Sequence, residues 1–327
     1  MRALVTGATG KVGNAIARAL AQRGDDVRAL VRDPARAASM LPAGVEPVRG
    51  DVTDPASLEP ACADREIVFN AMGLPEQWFA DDSIFDRVNA RGSEAVVDAA
   101  AKAGARRVVH TSTIDVFHAD PGAPFDESRV ADYPKGTAYE RSKQRADALV
   151  LGAAARTGIE VVIANPAAVY GPGPEGSASP ERDLIEPAVN ARRSALPALP
   201  PGGFGMVFTE GVAEGHLLAA ERGAPGERYI LCDAHVTVRD LVEHAVGIAG
   251  RGRVPATLPV PVAKAMAAAG APIARLTGRP PLLAQGELLF LLWNARPDSS
   301  KAQRELGWRP TTLEDGLRRT LGAMGLL

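Results

Sequence analysis

The chain has 327 residues, 46% hydrophobic and 23% charged, with 37 basic against 39 acidic side chains and a formal net charge of −2. That length predicts one large domain or two small ones with a sizeable core, and the composition excludes a disordered or fibrous chain. No basic surplus points to nucleic acid. The two cysteines, Cys62 and Cys232, lie far apart in sequence, which excludes a disulfide-dense secreted scaffold and fits a reducing cytoplasm.

The N-terminus runs straight into a turn motif, with no charged, apolar and small-residue series of a signal peptide before it. The densest apolar run near the end, Leu288 to Trp293, is far short of the roughly 18 residues of a membrane span. Strands and helices then alternate. Ala3–Val5 reads as a strand, residues 11–23 as a helix and Val27–Val31 as a second strand. The Ala- and Arg-rich stretch 34–41 follows. Val45–Val48 is a third strand, 55–62 a short helix and Glu66–Ala71 a fourth strand. Residues 84–103 form a long amphipathic helix, Arg107–Thr111 a fifth strand, 136–156 a helix and Glu160–Ala164 a sixth strand. Strict alternation predicts an α/β fold, a doubly wound parallel sheet with helices on both faces.

After residue 171 the pattern changes. Residues 171–183 are a loop by composition, and 194–206 are rich in Pro and Gly. Arg228–Leu231 reads as a strand, 237–249 as a helix capped by Thr237, and the rest as a helical tail. This predicts a division at 1–170 and 171–327. The second part is mainly a smaller substrate-binding cap, with some segments returning to the first sheet.

Residues 6–13 read TGATGKVG, placing Gly7, Gly10 and Gly13 between the first strand and first helix. A Gly-rich turn there lets backbone approach a pyrophosphate at the helix N-terminus. Thr9, Lys11 and Val12 belong to the same candidate loop. The second strand ends at Val31, where a ribose-binding carboxylate would be expected. Arg32 follows it and Arg36 lies one helical turn on, a pattern that suits the 2′-phosphate of NADP(H). Asp33, next to Pro34, reads as a helix cap. If the strand ran further, Asp33 would take the ribose and the cofactor would be NAD(H).

Tyr139 and Lys143 lie four apart on one helix face. A tyrosine titrates near 10, and a lysine beside it favours the phenolate, so Tyr139 is expected to have a lowered pKa and to act as general acid or base at a carbonyl. The fifth strand ends in Thr111, Ser112 and Thr113, whose hydroxyls would face the cleft at the carboxyl edge.

TGATGKVG, GDVTD at 50–54, NAMG at 70–73, TST at 111–113, YERSK at 139–143 and NPAAVYGPG at 165–173 occur in this order. Together they resemble the extended short-chain dehydrogenase/reductase superfamily over essentially the whole chain. The segments VRALVRDP and TSTIDV look most like dihydroflavonol reductases and 3β-hydroxysteroid dehydrogenases. The resemblance implies a Rossmann-type domain with a C-terminal cap. It implies Thr113, Tyr139 and Lys143 as the catalytic trio, with Tyr139 and Lys143 also on the cofactor and Lys143 on its ribose. It implies Asp51 and Val52 at the adenine, Ala71, Met72 and Gly73 along the cofactor, and Pro166 and Val169 near the carboxamide. Thr111 joins the cofactor-binding set. Thr113 stands where many members have serine. Asn89 matches a helix asparagine of the family, read here as structural.

Other residues read as bland. His110, His118, His216, His235 and His244 make no zinc spacing, and His110 is expected to be a satisfied core residue. Ser142 has no histidine base beside it and is not a hydrolase nucleophile. Trp78, Phe79, Phe204, Met206 and Phe208 are candidates to line a substrate pocket or to pack the core.

The leading expectation is an NADP(H)-dependent reductase of a ketone or aldehyde, working as a homodimer on a small-molecule substrate. Two alternatives stand beside it. A sugar-nucleotide dehydratase would carry Asp-Glu after the hydroxyl residue, where this chain has Ile114-Asp115; sugar-nucleotide enzymes also tend to an arginine where residues 205–212 have none. A cofactor-sensing regulator would usually lack the Tyr–Lys pair.

Overall fold

Residues alternating along a strand face opposite sides of a sheet, so a sheet covered on both faces needs apolar residues at every position. The first strand meets that demand: Ala3 and Val5 face one core while Leu4 faces the other. The computed structural model describes all residues except 77, 78, 80, 175, 176, 178–180, 191–197, 278–280 and 282. Trp78, a candidate pocket residue, and residues 194–197 lie outside the described residues.

The strands are β1 (Arg2–Thr6), β2 (Asp26–Val31), β3 (Val45–Arg49), β4 (Ile67–Asn70), β5 (Arg107–Thr111), β6 (Pro124–Phe125), β7 (Glu160–Pro166), β8 (Ala168–Tyr170), β9 (Gly203–Phe208), β10 (Arg228–Leu231), β11 (Ala234–Thr237) and β12 (Arg296–Pro297). The helices are α1 (Lys11–Gln22), α2 (Pro34–Ala37), α3 (Leu58–Cys62), α4 (Ser83–Phe85), α5 (Gly92–Lys102), α6 (Ala138–Thr157), α7 (Glu186–Val189), α8 (Thr209–Arg222), α9 (Val238–Ala249), α10 (Val260–Thr277), α11 (Gln285–Trp293) and α12 (Leu313–Ala323).

The main sheet runs β10-β7-β5-β4-β1-β2-β3, with every pairing parallel. One face packs on α1 and α8, through Ile16, Ala17, Leu20, Val212 and Ala219. The other packs on α3, α5 and α6, through Leu58, Val96, Val97 and Val150. The chain leaves β1 toward β2 and β3, then crosses back to β4 on the opposite side. That reversal opens a crevice at the carboxyl ends of β1 and β4, where doubly wound sheets bind ligands.

The helix expected over 84–103 is continuous with α4 and α5, but Asp86–Arg91 between them is wound with i→i+5 bonds. Such a turn is uncommon and often marks a functional region. Thr237 caps α9 by accepting from the Asp240 N–H at 3.0 Å.

A second sheet, β11-β9-β8, was not expected. Residues 203–206 belong to the stretch read as irregular, yet they run as β9. The glycines that gave that reading are packing requirements. A Cβ on Gly203 would sit 2.6 Å from the Val236 carbonyl oxygen, and one on Gly205 2.8 Å from Pro297. Phe204, Met206 and Phe208 are buried in the core of this second layer with Leu241, Leu291 and Leu317. They pack the core and do not line a cleft.

Arg228 on β10 returns to the main sheet and its guanidinium binds Asp147 of α6 at 3.0 Å. Asp147 is 5% exposed, and His110 Nε2 faces its other oxygen at 3.5 Å. Removing one partner of a buried pair leaves the other uncompensated. Asp147→Asn is therefore expected to lower unfolding stability by about 3 kcal/mol in urea titration. A loss under about 1 kcal/mol would show that the pair is not what ties β10 to α6.

Candidate active site

The crevice floor is built from backbone. The Thr6 hydroxyl donates to Asn70 Oδ1 at 2.8 Å and accepts from the Met72 N–H at 3.2 Å, pinning the ends of β1 and β4 together. Gly7 follows with φ 69°, and a Cβ there would lie 2.5 Å from the Ala71 carbonyl oxygen. Only glycine takes that conformation and that contact without strain. Gly10 N–H donates to the Gly7 carbonyl at 2.9 Å, and a Cβ on Gly13 would meet that same oxygen at 2.3 Å. Asn14, which the motif reading passed over, ties the loop by donating to the Ala8 and Met40 carbonyls at 3.1 and 2.8 Å.

No side chain caps α1, and its first turn carries no acid. Its first N–H groups therefore face the crevice as an anion site. Thr9 lies in this turn, Lys11 and Val12 begin the helix, and the Lys11 side chain runs beside Gly173. The donor set fits a dinucleotide pyrophosphate.

At the next strand, β2 ends at Val31 as the sequence predicts. Arg32 is exposed beyond it, and Asp33 accepts the Arg36 N–H at 3.1 Å as the cap of α2. Asp51 is partly buried, which opposes ionisation. The Thr53 N–H and hydroxyl, at 2.8 and 2.7 Å, and the Arg32 charge outweigh that and hold its carboxyl below the usual range. Val52 is buried against Gly92. Ala71, Met72 and Gly73 run from the end of β4 across the glycine loop. Asn89, in the i→i+5 turn, accepts from the Leu74 N–H at 2.7 Å and donates to the Leu74 carbonyl and Ser142 Oγ, each at 3.1 Å. It clamps this loop to α6, a structural role. Pro166 and Val169 flank the β7–β8 junction, with Val169 paired to Val207 of β9.

α6 opens with a capping box between Thr137 and Glu140, which sets its start one residue before Tyr139. The structure brings Thr113, Tyr139 and Lys143 together at the end of β5. The buried Lys143 Nζ donates to the Thr111 carbonyl at 2.7 Å. Thr113 forms a hydrogen bond with the Tyr139 phenol, and the Asn165 amide holds the Thr113 carbonyl at 2.8 Å. The Thr111 hydroxyl turns the other way, to His216 Nε2 at 2.8 Å. The opposite ring nitrogen of His216 faces the Val212 carbonyl at 2.7 Å and must carry the hydrogen, so Thr111 donates. Thr111 thus offers Lys143 its backbone, and its side chain does not reach toward a cofactor.

The charge balance differs from expectation. Burial, followed by the Asp115 charge, raises the Tyr139 pKa above its ordinary value; Glu76 and Glu140 add to it, and the Thr113 bond only partly offsets them. Lys143 is engaged with the strand carbonyl, and burial brings it down to about 8 against the pull of Asp147 and Asp115. The phenol is therefore protonated at neutral pH, set to give a proton. Asp115 and Glu76 add to the burial, and neither is among the site residues expected from the sequence. Asp115 accepts the Thr113 hydroxyl at 2.9 Å, and Glu76, at the rim, accepts the Thr137 hydroxyl at 2.7 Å. The Phe85 ring lies edge-on to Tyr139 at 6.0 Å and to Phe79 at 5.1 Å, giving the site an apolar wall.

The model of the NAD dependent epimerase/dehydratase family matches residues 3–232. The chain belongs to this family. It is thus an NAD(P)-dependent enzyme of the extended short-chain dehydrogenase/reductase type, as the motifs suggested. It is 33% identical to sterol demethylase protein B of Methylococcus capsulatus, over 95% of this chain and 94% of that one. It is 30% identical to a putative dihydroflavonol 4-reductase of Synechocystis, over 96% and 91%. The crystal structure of gox2253 superposes with a TM-score of 0.82 at 30% identity, covering 99% of this chain and 98% of that chain. Among the described residues no helix is long and apolar enough to cross a membrane, and no group of three His, Cys, Asp or Glu is placed to hold a metal ion.

The contact of Gly13 with Gly7 generates a prediction. Gly13→Ala pushes α1 away from the glycine loop, so dinucleotide affinity should fall at least tenfold, or about 1.4 kcal/mol. Fluorescence titration with NADPH checks this; wild-type affinity in the variant would contradict it.

Proposed function

We propose that the chain is an NADP(H)-dependent reductase of a neutral ketone, with the reverse alcohol oxidation at the same site. Tyr139 is the general acid, Thr113 orients the carbonyl oxygen, and Lys143 fixes the ribose side of the site. The observation that carries this reading is the convergence of Tyr139, Thr113 and Lys143 at the carboxyl end of β5. A neutral phenol gives its proton to a carbonyl oxygen as negative charge develops there. The bound cofactor supplies the hydride. Gly7, Gly10 and Gly13 admit its pyrophosphate to the α1 N-terminus, with Thr9, Lys11 and Val12 around them. Asp51, Val52, Ala71, Met72 and Gly73 flank its path, and Pro166 and Val169 lie at its far end.

Two features favour a neutral, apolar substrate over a sugar nucleotide. Glu140, joined by Asp115 and Glu76 whenever they are ionised, bears on Tyr139 and repels a diphosphate, while Phe79, edge-on to the buried Phe85, offers apolar contact. The sterol in the name of the Methylococcus relative is a ligand of this character. The assay is oxidation of NADPH with cyclohexanone, a steroid ketone, benzaldehyde, UDP-glucose and dTDP-glucose. Tyr139→Phe should lower the rate on the preferred ketone by about 10² to 10⁴-fold while the fold and NADPH affinity persist. A rate within about threefold of wild type would remove Tyr139 from the role.

Arg32 and Arg36 carry the cofactor preference. The β2 end has no carboxylate at Val31, and the Asp33 carboxylate is occupied as a helix cap. A charge-assisted phosphate contact is worth about 1.5–3 kcal/mol. NADPH should therefore exceed NADH by about tenfold or more in kcat/KM, and Val31→Asp with Arg32→Ala should reverse the order. Equal or better NADH efficiency in wild type would contradict the assignment.

A further inference from the structure

The Thr113 hydroxyl has one hydrogen and two lone pairs to distribute. It lies 2.9 Å from Asp115 Oδ2 as donor and accepts the Asp115 N–H at 3.3 Å, and the same single hydrogen is what lowers the Tyr139 phenol, so Asp115 and Tyr139 compete for it. While Asp115 is ionised, Thr113 has no hydrogen left for a substrate oxygen. Yet the reductase reading asks Thr113 to donate one. The conflict disappears when Asp115 takes up a proton. Its carboxyl then donates to Thr113 Oγ1, and the Thr113 hydrogen is released toward the phenol or the carbonyl.

We propose that Asp115 is a positioning residue that acts through Thr113, setting the direction of the hydroxyl hydrogens and ending a proton relay that runs Tyr139–Thr113–Asp115. The proposal rests on the reductase reading for its chemistry. In the reduction, the hydride and its electron pair pass from the reduced nicotinamide to the carbonyl carbon. The Tyr139 O–H breaks as the substrate O–H forms. The Thr113 hydrogen moves to the Tyr139 oxygen and the Asp115 proton moves to the Thr113 oxygen. Asp115 is left as a carboxylate and regains its proton from solvent.

The groups facing Asp115 come from four segments. Thr113 is on its own segment, Lys135 precedes α6, Tyr139, Glu140 and Lys143 are on α6, and Glu76 follows β4. Burial raises the carboxyl first, and Glu140 adds to it. Thr113, Lys135 and Lys143 pull it down, and the balance lies up at about 6. Lys135 is itself held by the Phe117 carbonyl at 2.9 Å and faces Glu140 at 3.6 Å, which limits its pull. The relay is loaded below pH about 6 and empties as pH rises through that value.

The test has two arms. In the first, kcat for reduction of the fastest ketone in the panel is followed from pH 5 to pH 8. Wild type should lose about tenfold per pH unit above 6, the slope of a single controlling ionisation. Asp115→Asn should abolish that limb, and Asp115→Glu should restore one. A limb that persists unchanged in Asp115→Asn overturns the proposal. The second arm needs no turnover or cofactor. The carboxyl stretch of Asp115 is titrated by infrared difference between wild type and Asp115→Asn. It should titrate near 6 and move upward in Thr113→Ala, which removes a donor to the ionised form. An ordinary carboxylate value, indifferent to Thr113→Ala, overturns the relay. Failure of every ketone with an upward-shifted Asp115 would refute the reductase reading and uphold the Thr113–Asp115 coupling.

Discussion

A buried ammonium holds the Tyr139–Thr113 end of the crevice in place. The Lys143 bond to the Thr111 carbonyl joins α6 to the last residue of β5. The Tyr139 phenol and the Thr113 hydroxyl meet because those two elements are locked together there. Taking a lysine out of water is costly unless its charge is compensated. Asp147 supplies that charge from one turn further along α6. Asp147 is in turn held by Arg228 from the edge strand β10. A strand contributed late in the sequence thus steadies a lysine placed much earlier.

The crevice obeys a second constraint, and it is steric. Gly7 and Gly13 are required by contacts of the protein with itself, at Ala71 and at the Gly7 carbonyl. The same closeness leaves the α1 N-terminus uncovered. A loop shaped by packing therefore becomes an anion site at the point where the strand order reverses. At the other end of the crevice, burial and the acids around Tyr139 keep the phenol protonated. The crevice combines an amide-lined end at α1 with an acidic end around Tyr139.

Much of this was legible in the sequence. Alternating apolar segments predicted the parallel sheet, because buried strands and amphipathic helices have different periods. The spacing of Tyr139 and Lys143 predicted a shared helix face. Asp33 was read correctly as a cap because proline follows it. What escaped depends on contacts between distant residues. β9 looked irregular because the glycines that let it pack against Val236 and Pro297 resemble loop glycines. Thr111 looked like a cleft hydroxyl because nothing nearby in sequence announces His216, 105 positions on. The direction of the Tyr139 shift does not show in the sequence because the burial that chiefly raises it, like the Glu76 charge from another loop, comes from tertiary packing. Asp115 did carry a local signal, a hydroxyl followed two residues later by a carboxylate at a strand end.

Hydride transfer to a carbonyl carbon, with Tyr139 supplying the proton, is the chemistry proposed for this site. The most direct measurement uses NADPH carrying deuterium at the nicotinamide carbon that gives up hydride. Mass spectrometry then locates the label after turnover with the preferred ketone. The account predicts one deuterium on the new carbinol carbon, in a single stereochemical sense, with stoichiometric cofactor oxidation. A product without the label, or conversion of a sugar nucleotide with no net cofactor oxidation, would contradict it.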